Sequence, residues 1–262
     1  MPICGVLGWP VRHSRSPAMH EAGYAALGLD DWRYQLLPVP PELFEETIRA
    51  LPAAGFLGAN VTIPHKEAAA GIADDATPAV RAIGAANTLT FTDGRIHADN
   101  TDAPGLIDAL PFDPAGTTAV VMGAGGSARA VVWALRTSGT HVRVWNRTPE
   151  RAAELGAEVL PAGGPLPAAD LLVNCTSVGL GDPSKTFKHL PISPDAIGTY
   201  PTLVDLVYRP GGTALELAAR ERGVAVVNGL EILVRQGAHS FAAWTGSSPD
   251  LAVMRAAVLD PP

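Results

Sequence analysis

The sequence is poor in cysteine, with only Cys4 and Cys175 among its 262 residues. Two cysteines this far apart exclude the disulfide framework of a small secreted protein and the closely spaced thiolates of a structural zinc site. The N-terminal residues also lack the basic start, the apolar run and the small-residue cleavage site of a secretory signal. We therefore expect a cytoplasmic protein that uses no metal.

The chain also lacks an excess of positive charge and a long apolar run. The chain carries 19 Lys and Arg against 26 Asp and Glu, so it has no general basic field for nucleic acid or an anionic membrane surface. The most apolar long stretch, Thr118 to Leu135, contains three glycines and Arg129 and is not typical of a membrane span. With 47% hydrophobic residues the chain can build full cores. A few local cations still suffice for a small anionic substrate.

The first hundred residues predict alternating strands and helices that end in a hairpin. Ser16 followed by Pro17 is typical of a helix N-cap with proline at the first helical position, and Asp93-Gly94 is typical of a hairpin turn. The predicted elements are strands over Ile3–Gly8, Trp32–Val39 and Phe56–Ile63, helices that begin at Pro17, Pro41, Pro64 and Thr77, and a hairpin over Asn87–Ala98.

A second α/β unit is predicted from Thr117 onward. Its first strand, Thr118–Met122, leads through a glycine-rich turn into a helix that continues to about Thr137. Further strands are predicted at His141–Asn146, Asp170–Thr176, Thr202–Tyr208 and Val224–Val227, and further helices at Pro149–Leu155, Thr213–Arg222, Gly229–Trp244 and Pro249–Val258. The segment Ser177–Thr199, rich in glycine, proline, serine and lysine, is interpreted as a mobile loop over a site.

The turn between this first strand and its helix reads G-A-G-G-S-A, and it stands where a dinucleotide-binding turn is required. Glycine permits the tight turn and the close approach of backbone to a pyrophosphate, while the helix N-terminus supplies N–H groups and a positive dipole end. An ordinary strand-to-helix turn is the alternative. The predicted cofactor contacts here are Gly123, Ala124, Gly125, Gly126, Ser127 and Ala128.

The end of the next strand favours NADP(H) over NAD(H). An NAD site carries an acidic residue about 20 residues after the glycines to bind the ribose 2′-hydroxyl, but this chain has Asn146-Arg147-Thr148 and then Arg151. An arginine can pair with a 2′-phosphate in a bidentate manner. The alternative is that both arginines are solvated surface charges. Arg129 is either a further cation for the cofactor or a surface residue.

Polar residues accumulate at the predicted element ends of the apolar first half. Ser14 and Ser16, at a helix start, form a suitable cradle for a carboxylate. Asn60 and Thr62 end a strand, where α/β sheets place ligand contacts, and Lys66 follows within one helical turn. The turns that flank the hairpin add Asn87, Asn100, Thr101 and Asp102. Each residue taken singly has a structural explanation, such as capping or turn formation, but together they indicate a binding site.

The chain resembles the shikimate dehydrogenase family in segments that occur in order from about residue 5 to residue 247. The segments are GWPVRHSRSPAMH, GANVTIPHKE, IGAANTL, NTDAPG, GAGGSARA, WNRTPERA, VNCTSVG, DLVYRPGGT and LVRQGAHSFAAWTG. The resemblance implies an α/β fold with an N-terminal substrate-binding α/β domain over residues 1–103 and 237–262, to which the C-terminal helices return. A Rossmann-type NADP-binding domain is implied over residues 104–236. The implied activity is the NADPH-dependent, reversible reduction of 3-dehydroshikimate to shikimate in aromatic amino acid biosynthesis.

The same resemblance implies a role for each matching residue. Lys66 and Asp102 are the expected catalytic pair, since a positioned ammonium can stabilise and protonate the alkoxide that forms when hydride reaches the ketone carbon. The expected substrate contacts are Ser14 and Ser16 to the carboxylate, Asn60, Thr62, Lys66, Asn87, Asp102 and Gln236 around the ring hydroxyls, and Tyr208 near the carboxylate end. The expected cofactor contacts beyond the glycine turn are Asn146, Arg147, Thr148, Arg151, Thr176, Ser177, Val207 and Gly229.

The chain departs from the family pattern in two places. Ile232 stands where the family commonly has methionine near the nicotinamide, and we expect this apolar exchange to alter packing more than chemistry. The stretch 175–178 reads Cys-Thr-Ser-Val and also differs from the usual pattern, which leaves open how the following loop contacts the cofactor.

Two other functions stay open at this point. One is an NAD-dependent quinate/shikimate dehydrogenase, against which Arg147 and Arg151 speak. The other is a non-catalytic dinucleotide-binding sensor on the same fold, which has no need for a proton donor such as Lys66 beside Asp102. Both dimers and monomers occur in the family, so a homodimer is one of two open oligomeric states.

Overall fold

The computed structural model describes residues 1–259 and divides into two compact units. The first unit holds residues 1–105 and the C-terminal part from residue 233, and the second holds residues 106–232. Within the described residues, no helix combines the length and the apolar character that crossing a membrane requires.

The chain alternates strands and helices along its whole length. In chain order the elements are β1 (Ile3–Gly8), α1 (Ser16–Ala26), β2 (Arg33–Pro38), α2 (Phe44–Ala50), β3 (Phe56–Val61), α3 (Lys66–Ile72), β4 (Asp75–Ala76), α4 (Pro78–Ile83), β5 (Thr88–Thr92), β6 (Arg95–Asp99), α5 (Asp102–Ala109), β7 (Thr118–Met122), α6 (Gly126–Thr137), β8 (His141–Trp145), α7 (Pro149–Ala153), β9 (Glu158–Val159), β10 (Leu171–Asn174), α8 (Thr186–His189), α9 (Pro194–Ile197), β11 (Thr202–Asp205), α10 (Ala214–Glu221), β12 (Ala225–Val227), α11 (Gly229–Thr245) and α12 (Leu251–Leu259). Short 3₁₀ turns cover Pro41–Leu43 and Pro183–Lys185.

The first unit is built on a mixed six-stranded sheet with the order β2-β1-β3-β5-β6-β4. β1 pairs in parallel with β2 and β3, while the hairpin of β5 and β6 joins β3 in antiparallel fashion. The hairpin turns at the predicted place, because Asp93 and Gly94 both adopt the positive φ that a two-residue turn of this kind requires (52° and 73°). The parallel strands β1 and β3 therefore end at the same edge of the sheet.

The prediction that Ser16 caps α1 is wrong. The helix begins at Ser16 itself, the residue before it is already helical, and no side chain caps this end. The chain forms a backbone turn just before the helix, in which the Ser14 N–H donates to the Val11 carbonyl at 2.9 Å. The Ser16 hydroxyl is consequently not used for capping and is available to the site described below.

The interior of the first unit contains an uncharged histidine. His20 on α1 is fully buried, and its ring stacks on that of Tyr34 with centroids 4.3 Å apart and planes 4° from parallel. Neither ring nitrogen has a hydrogen-bond partner, and burial lowers the pKa of His20 to about 3. The ring thus packs as a neutral aromatic group among Tyr24, Phe241 and Trp244.

Acid should therefore destabilise the fold through His20. Its pKa is lower in the folded chain than in the unfolded one, so the unfolded chain takes up a proton first as the pH falls. We expect a loss of roughly 3 kcal/mol in the free energy of unfolding between about pH 6.5 and about pH 4, at about 1.4 kcal/mol per pH unit. Denaturant unfolding at several pH values measures this. His20→Phe should flatten the profile, whereas the exposed control His189→Phe should not; identical profiles for all three proteins would show that His20 does not cause the loss of stability.

The second unit is a fully parallel six-stranded sheet with the order β12-β11-β10-β7-β8-β9. This is the doubly wound order in which the chain reverses direction between β7 and β10, and such sheets bind ligands beyond the carboxyl ends of the strands at that point. Every residue of β10 and β11 is buried, as expected for parallel strands covered on both faces.

Residues 177–199, interpreted from their composition as a mobile loop over a site, do not form a loop throughout. The segment contains a 3₁₀ turn and two short helices, α8 and α9, and its residues Leu190, Ile192 and Ile197 belong to the apolar core of the second unit. The 3₁₀ turn and α9 each have a local signal, because the side chains of Asp182 and Ser193 accept hydrogen bonds from backbone N–H groups two or three residues further on. The many glycines and prolines of the segment obscured those caps.

Candidate active site

The glycine turn of the second unit lies at the sheet position where a dinucleotide is expected. Gly123 follows β7 with φ at +114°, and a Cβ built on it would stand 3.1 Å from the backbone of Cys175 after β10. Only glycine fits both the left-handed conformation and this close approach of the two chain segments. Gly125 is the N-cap residue of α6, no side chain caps the helix, and the space next to Gly125 is open. This end of α6 is suited to an anion such as a pyrophosphate.

The end of β8 carries the predicted adenosine-side residues. Asn146 donates from Nδ2 to the Thr148 carbonyl at 2.8 Å, which orders the short connection into α7. Arg147 and Arg151 are both exposed at this connection. Arg129, one turn into α6, pairs with Glu154 at 2.5 Å. No acidic side chain occupies the position that an NAD-binding site reserves for one.

The segments after β10 and β11 hold the remaining predicted cofactor residues. The Thr176 hydroxyl donates to the Asn174 side chain at 2.7 Å, and Ser177 is exposed next to it. Val207 is buried just after β11, and Tyr208 follows it, half-buried. Gly229 opens α11 so close to Leu206 that a Cβ would stand 2.6 Å from its carbonyl oxygen.

In the first unit, the structure brings Lys66 and Asp102 into direct contact. The Lys66 Nζ lies 2.5 Å from Asp102 Oδ2, with the two side chains 11% and 12% exposed. Lys66 is the first residue of α3, two residues later than predicted, because His65 occupies the N-cap position. His65 is itself held by stacking on Phe44 and by a 2.7 Å hydrogen bond between its Nε2 and the Val39 carbonyl. The ammonium therefore projects from a fixed helix start.

Asn87 joins Asp102 to the rest of the site. Its Nδ2 is 2.9 Å from Asp102 Oδ1 and 3.0 Å from Gln236 Oε1, and its Oδ1 accepts the backbone N–H of Thr101 at 2.7 Å. Gln236 can come this close because Gly105 on α5 faces it on α11, where a Cβ would stand 2.7 Å away. Both oxygens of the Asp102 carboxylate are thus engaged, one by Lys66 and one by Asn87.

Asn60 is oriented unambiguously by its neighbours. Its Nδ2 is 3.1 Å from the Asn87 carbonyl oxygen, and because a carbonyl can only accept, the amide nitrogen must lie on that side. Oδ1 on the other side accepts the hydroxyl of Tyr34 at 2.7 Å. Thr88 and Ser240 add further acceptors for Nδ2, at 3.2 Å and 3.0 Å. Oδ1 keeps one lone pair for an additional hydrogen-bond donor.

Ser14 and Ser16 lie side by side and connect to the same network. The Ser14 hydroxyl donates to the Ser16 hydroxyl at 3.2 Å and accepts the Ser16 N–H at 3.3 Å. Ser16 also hydrogen-bonds to the side chain of Tyr34. Burial raises the pKa of Tyr34 well above its usual value, so the phenol stays protonated. Thr62 is half-buried directly after β3. Its N–H donates to the carbonyl of Leu7 on β1 at 2.8 Å, which fixes its position next to that strand.

Four further buried polar residues complete this network, and three of them, Tyr34, Thr88 and Ser240, were not predicted from the sequence. Thr101 lies inside the N-T-D segment but received no role of its own. Tyr34, Thr88 and Ser240 lie within a predicted strand, hairpin or helix, and their only signal is a polar group at a position that becomes buried. Burial follows from the tertiary packing, so local patterning could not have selected them.

Comparisons with known proteins identify the family of the chain. The family profile for the shikimate dehydrogenase substrate binding domain matches residues 6–89, and that for the shikimate 5′-dehydrogenase C-terminal domain matches residues 229–259. The shikimate dehydrogenase (NADP(+)) of Methylobacterium radiotolerans is 46% identical over 270 aligned positions, and the alignment covers 95% of this chain and 93% of that protein. The corresponding enzyme of Thermus thermophilus is 44% identical and covers 94% of this chain and 93% of its own.

Solved structures give the same result. Shikimate 5-dehydrogenase from Thermus thermophilus, in complex with NADP(H) and shikimate, superposes with a TM-score of 0.86 at 41% identity and covers 98% of both chains. The 5-ketofructose reductase of a Gluconobacter species also superposes, with a TM-score of 0.81 at 29% identity and 98% and 97% coverage. The fold by itself therefore does not fix the substrate. On the identity and coverage of its relatives, the chain belongs to the shikimate dehydrogenase family.

Proposed function

We propose that the protein catalyses the NADPH-dependent, reversible reduction of 3-dehydroshikimate to shikimate, in the cytoplasm. The observation that carries this proposal is the contact between Lys66 and Asp102 within a network of amides and hydroxyls. A binding module needs hydrogen-bond donors and acceptors, but it does not need an ammonium at 2.5 Å from a carboxylate that is itself held by Asn87. Such a group is what a ketone reduction requires as a proton donor.

The second unit fits NADP(H). The uncapped start of α6 with open space at Gly125 would take the pyrophosphate through Gly123 to Ala128. Arg147 and Arg151, exposed after β8, would hold the 2′-phosphate, with Asn146 and Thr148 beside them. The segments with Thr176, Ser177, Val207 and Gly229 would border the nicotinamide side. When bound, the reduced nicotinamide supplies the hydride.

The first unit would bind the substrate through its polar network. Ser14 and Ser16 present two hydroxyls at the N-terminal end of α1, where a carboxylate is favoured. Asn60 Oδ1, with one lone pair still to fill, would accept from a ring hydroxyl. Thr62, Asn87, Asp102 and Gln236 supply further donors and acceptors, and Tyr208 is proposed for the carboxylate end.

Lys66 would act on the reacting oxygen. As the ketone carbon accepts hydride, its oxygen gains negative charge, and the ammonium stabilises that charge and transfers a proton to it. In the reverse direction the neutral amine removes the proton from the hydroxyl. Asp102 holds the ammonium in place through Oδ2, while Asn87 keeps the carboxylate from rotating through its bond to Oδ1.

Initial rates with shikimate or quinate, each with NADP⁺ or NAD⁺, test the proposal directly. Strong turnover with shikimate and NADP⁺ is expected, because arginines rather than an acidic residue follow β8. A preference for NAD⁺ with quinate would instead identify a quinate/shikimate dehydrogenase. Absence of turnover in all four pairings, with NADP⁺ still bound in a titration, would identify a dinucleotide-binding sensor.

Lys66→Ala should lower kcat at least about a hundredfold and leave KM for shikimate nearly unchanged, because it removes a contact made mainly in the transition state. Steady-state kinetics at saturating NADP⁺ measure both constants. The matched control is Lys188→Ala, which removes an exposed lysine of the second unit and should leave both constants unaltered. A Lys66→Ala enzyme with normal kcat would remove this lysine from the mechanism.

The double variant Ser14→Ala with Ser16→Ala should mainly raise KM for shikimate, by roughly a hundredfold or more, because each hydrogen bond to a charged group contributes about 1.5–3 kcal/mol. The exposed pair Ser247→Ala with Ser248→Ala provides a control of the same composition. An effect confined to kcat, with unchanged KM, would be inconsistent with a carboxylate-binding role for these serines.

A further inference from the structure

One buried carboxylate of the second unit has no part in the mechanism above. Asp205 ends β11 and is fully buried. Its Oδ1 accepts from Asn174 Nδ2 at 2.9 Å and from the Val207 N–H at 3.1 Å, and its Oδ2 accepts from the Thr213 hydroxyl at 2.6 Å. Three donors from three chain segments therefore converge on one side chain.

The donors belong to the segments proposed to contact the cofactor. Asn174 ends β10, and its Oδ1 accepts both the N–H and the hydroxyl of Thr176, at 3.1 Å and 2.7 Å. Its Nδ2 also donates to the Val178 carbonyl at 3.2 Å. Asn174 thus shapes the turn that carries Thr176 and Ser177, and Asp205 ties that turn to the segment that carries Val207.

We propose that Asp205 is a positioning residue for cofactor binding: its carboxylate sets the turn after β10 and the segment after β11 in the arrangement that receives the dinucleotide. This inference rests on the proposed function, because it assumes that Thr176, Ser177 and Val207 contact NADP(H). Asp205 itself contributes no group to the cofactor and acts through Asn174 and the Val207 N–H.

A purely structural role explains this residue less well. Burial raises the pKa of Asp205 to about 6, against the lowering effect of its three donors, and the negative Glu216 on α10 raises it further. Glu216 is itself paired with Arg220 at 3.0 Å. Because the folded chain binds the Asp205 proton more tightly than the unfolded chain, stability falls as the pH rises from about 4 to about 6. The ionised carboxylate is therefore unfavourable for the fold at neutral pH, and Asp205→Asn should not lower the stability.

Asparagine at this position reproduces the protonated carboxyl group. It can keep one oxygen towards Asn174 and Val207, but its nitrogen must then donate to Thr213, which reverses that hydrogen bond. The Thr213 hydroxyl already accepts the Glu216 N–H at 3.1 Å. To accept a second hydrogen bond from the asparagine nitrogen, the hydroxyl would have to point its own proton away from that side chain. The charge-assisted bonds to Asn174 and Val207 would become ordinary ones, which are about half as strong.

The test compares wild type with Asp205→Asn, using NADP⁺ binding rather than turnover. Isothermal titration calorimetry at about pH 8 should give a Kd for NADP⁺ that is about tenfold higher in the variant. The Kd for shikimate should not rise, and the melting temperature should not fall. Hydrogen–deuterium exchange of the ligand-free proteins should be faster in the variant for peptides covering residues 175–178 and 206–208. Glu216→Gln, the same chemical change at the neighbouring buried carboxylate, should alter neither readout.

The pH dependence gives a second readout. The ratio of the two Kd values, variant over wild type, should fall towards one at about pH 5, where wild-type Asp205 is protonated. The 2′-phosphate of NADP⁺ titrates in the same range, but its effect cancels in the ratio. Equal Kd values at about pH 8, or an equal loss of shikimate affinity, would overturn the role of Asp205 alone. A wild-type protein that binds no NADP⁺ would overturn the proposed function and this inference together.

Discussion

The side-chain amide of Asn87 is the contact on which the first unit's site depends. Its nitrogen reaches Asp102 and Gln236, and its oxygen accepts the Thr101 N–H, so one buried group joins the end of the hairpin, the start of α5 and the middle of α11. A buried amide left without partners is costly, whereas one with all partners present has a single favourable arrangement. Asp102 is therefore presented to Lys66 in one orientation, and the ammonium position follows from it.

The same physical solution recurs in the second unit with a different side chain. Asn174 and Asp205, which end neighbouring parallel strands, are buried and satisfied mainly by each other and by the segments that follow them. In both units many of the polar groups lie at or next to strand ends, next to apolar strand interiors. The packed apolar core makes the sheet rigid, and the rigid sheet positions the short loops that bear the functional residues. Close approach of the chain at Gly123 and Gly105 is the steric condition for this arrangement.

Much of the fold was predictable because it rests on local patterns. The strand Thr118–Met122 has the predicted bounds, the helix after it ends at the predicted Thr137, and the hairpin turns at Asp93-Gly94. The predictions failed where a local signal was ambiguous. Ser16 followed by Pro17 has the pattern of a cap, but the helix starts one residue earlier than that pattern requires. The segment 177–199 has the composition of a loop, yet Ile197 and its neighbours are drawn into a core that is assembled from distant parts of the chain. The two-residue strands β4 and β9 are too short to show any periodicity.

The sequence by itself determined the alternation of strands and helices, the glycine turn with its arginines, and the residue types at the proposed site, because each of these depends on neighbours within a few positions. Tertiary structure alone decided which of those residues meet. Lys66 and Asp102 are 36 residues apart and Asn87 and Gln236 are 149 apart, so their contacts follow from the sheet order and from the return of α11. It also decided which polar groups are buried, as with Tyr34, Ser240 and Asp205. Burial is a property of the whole packed unit and has no signature in the residues alongside.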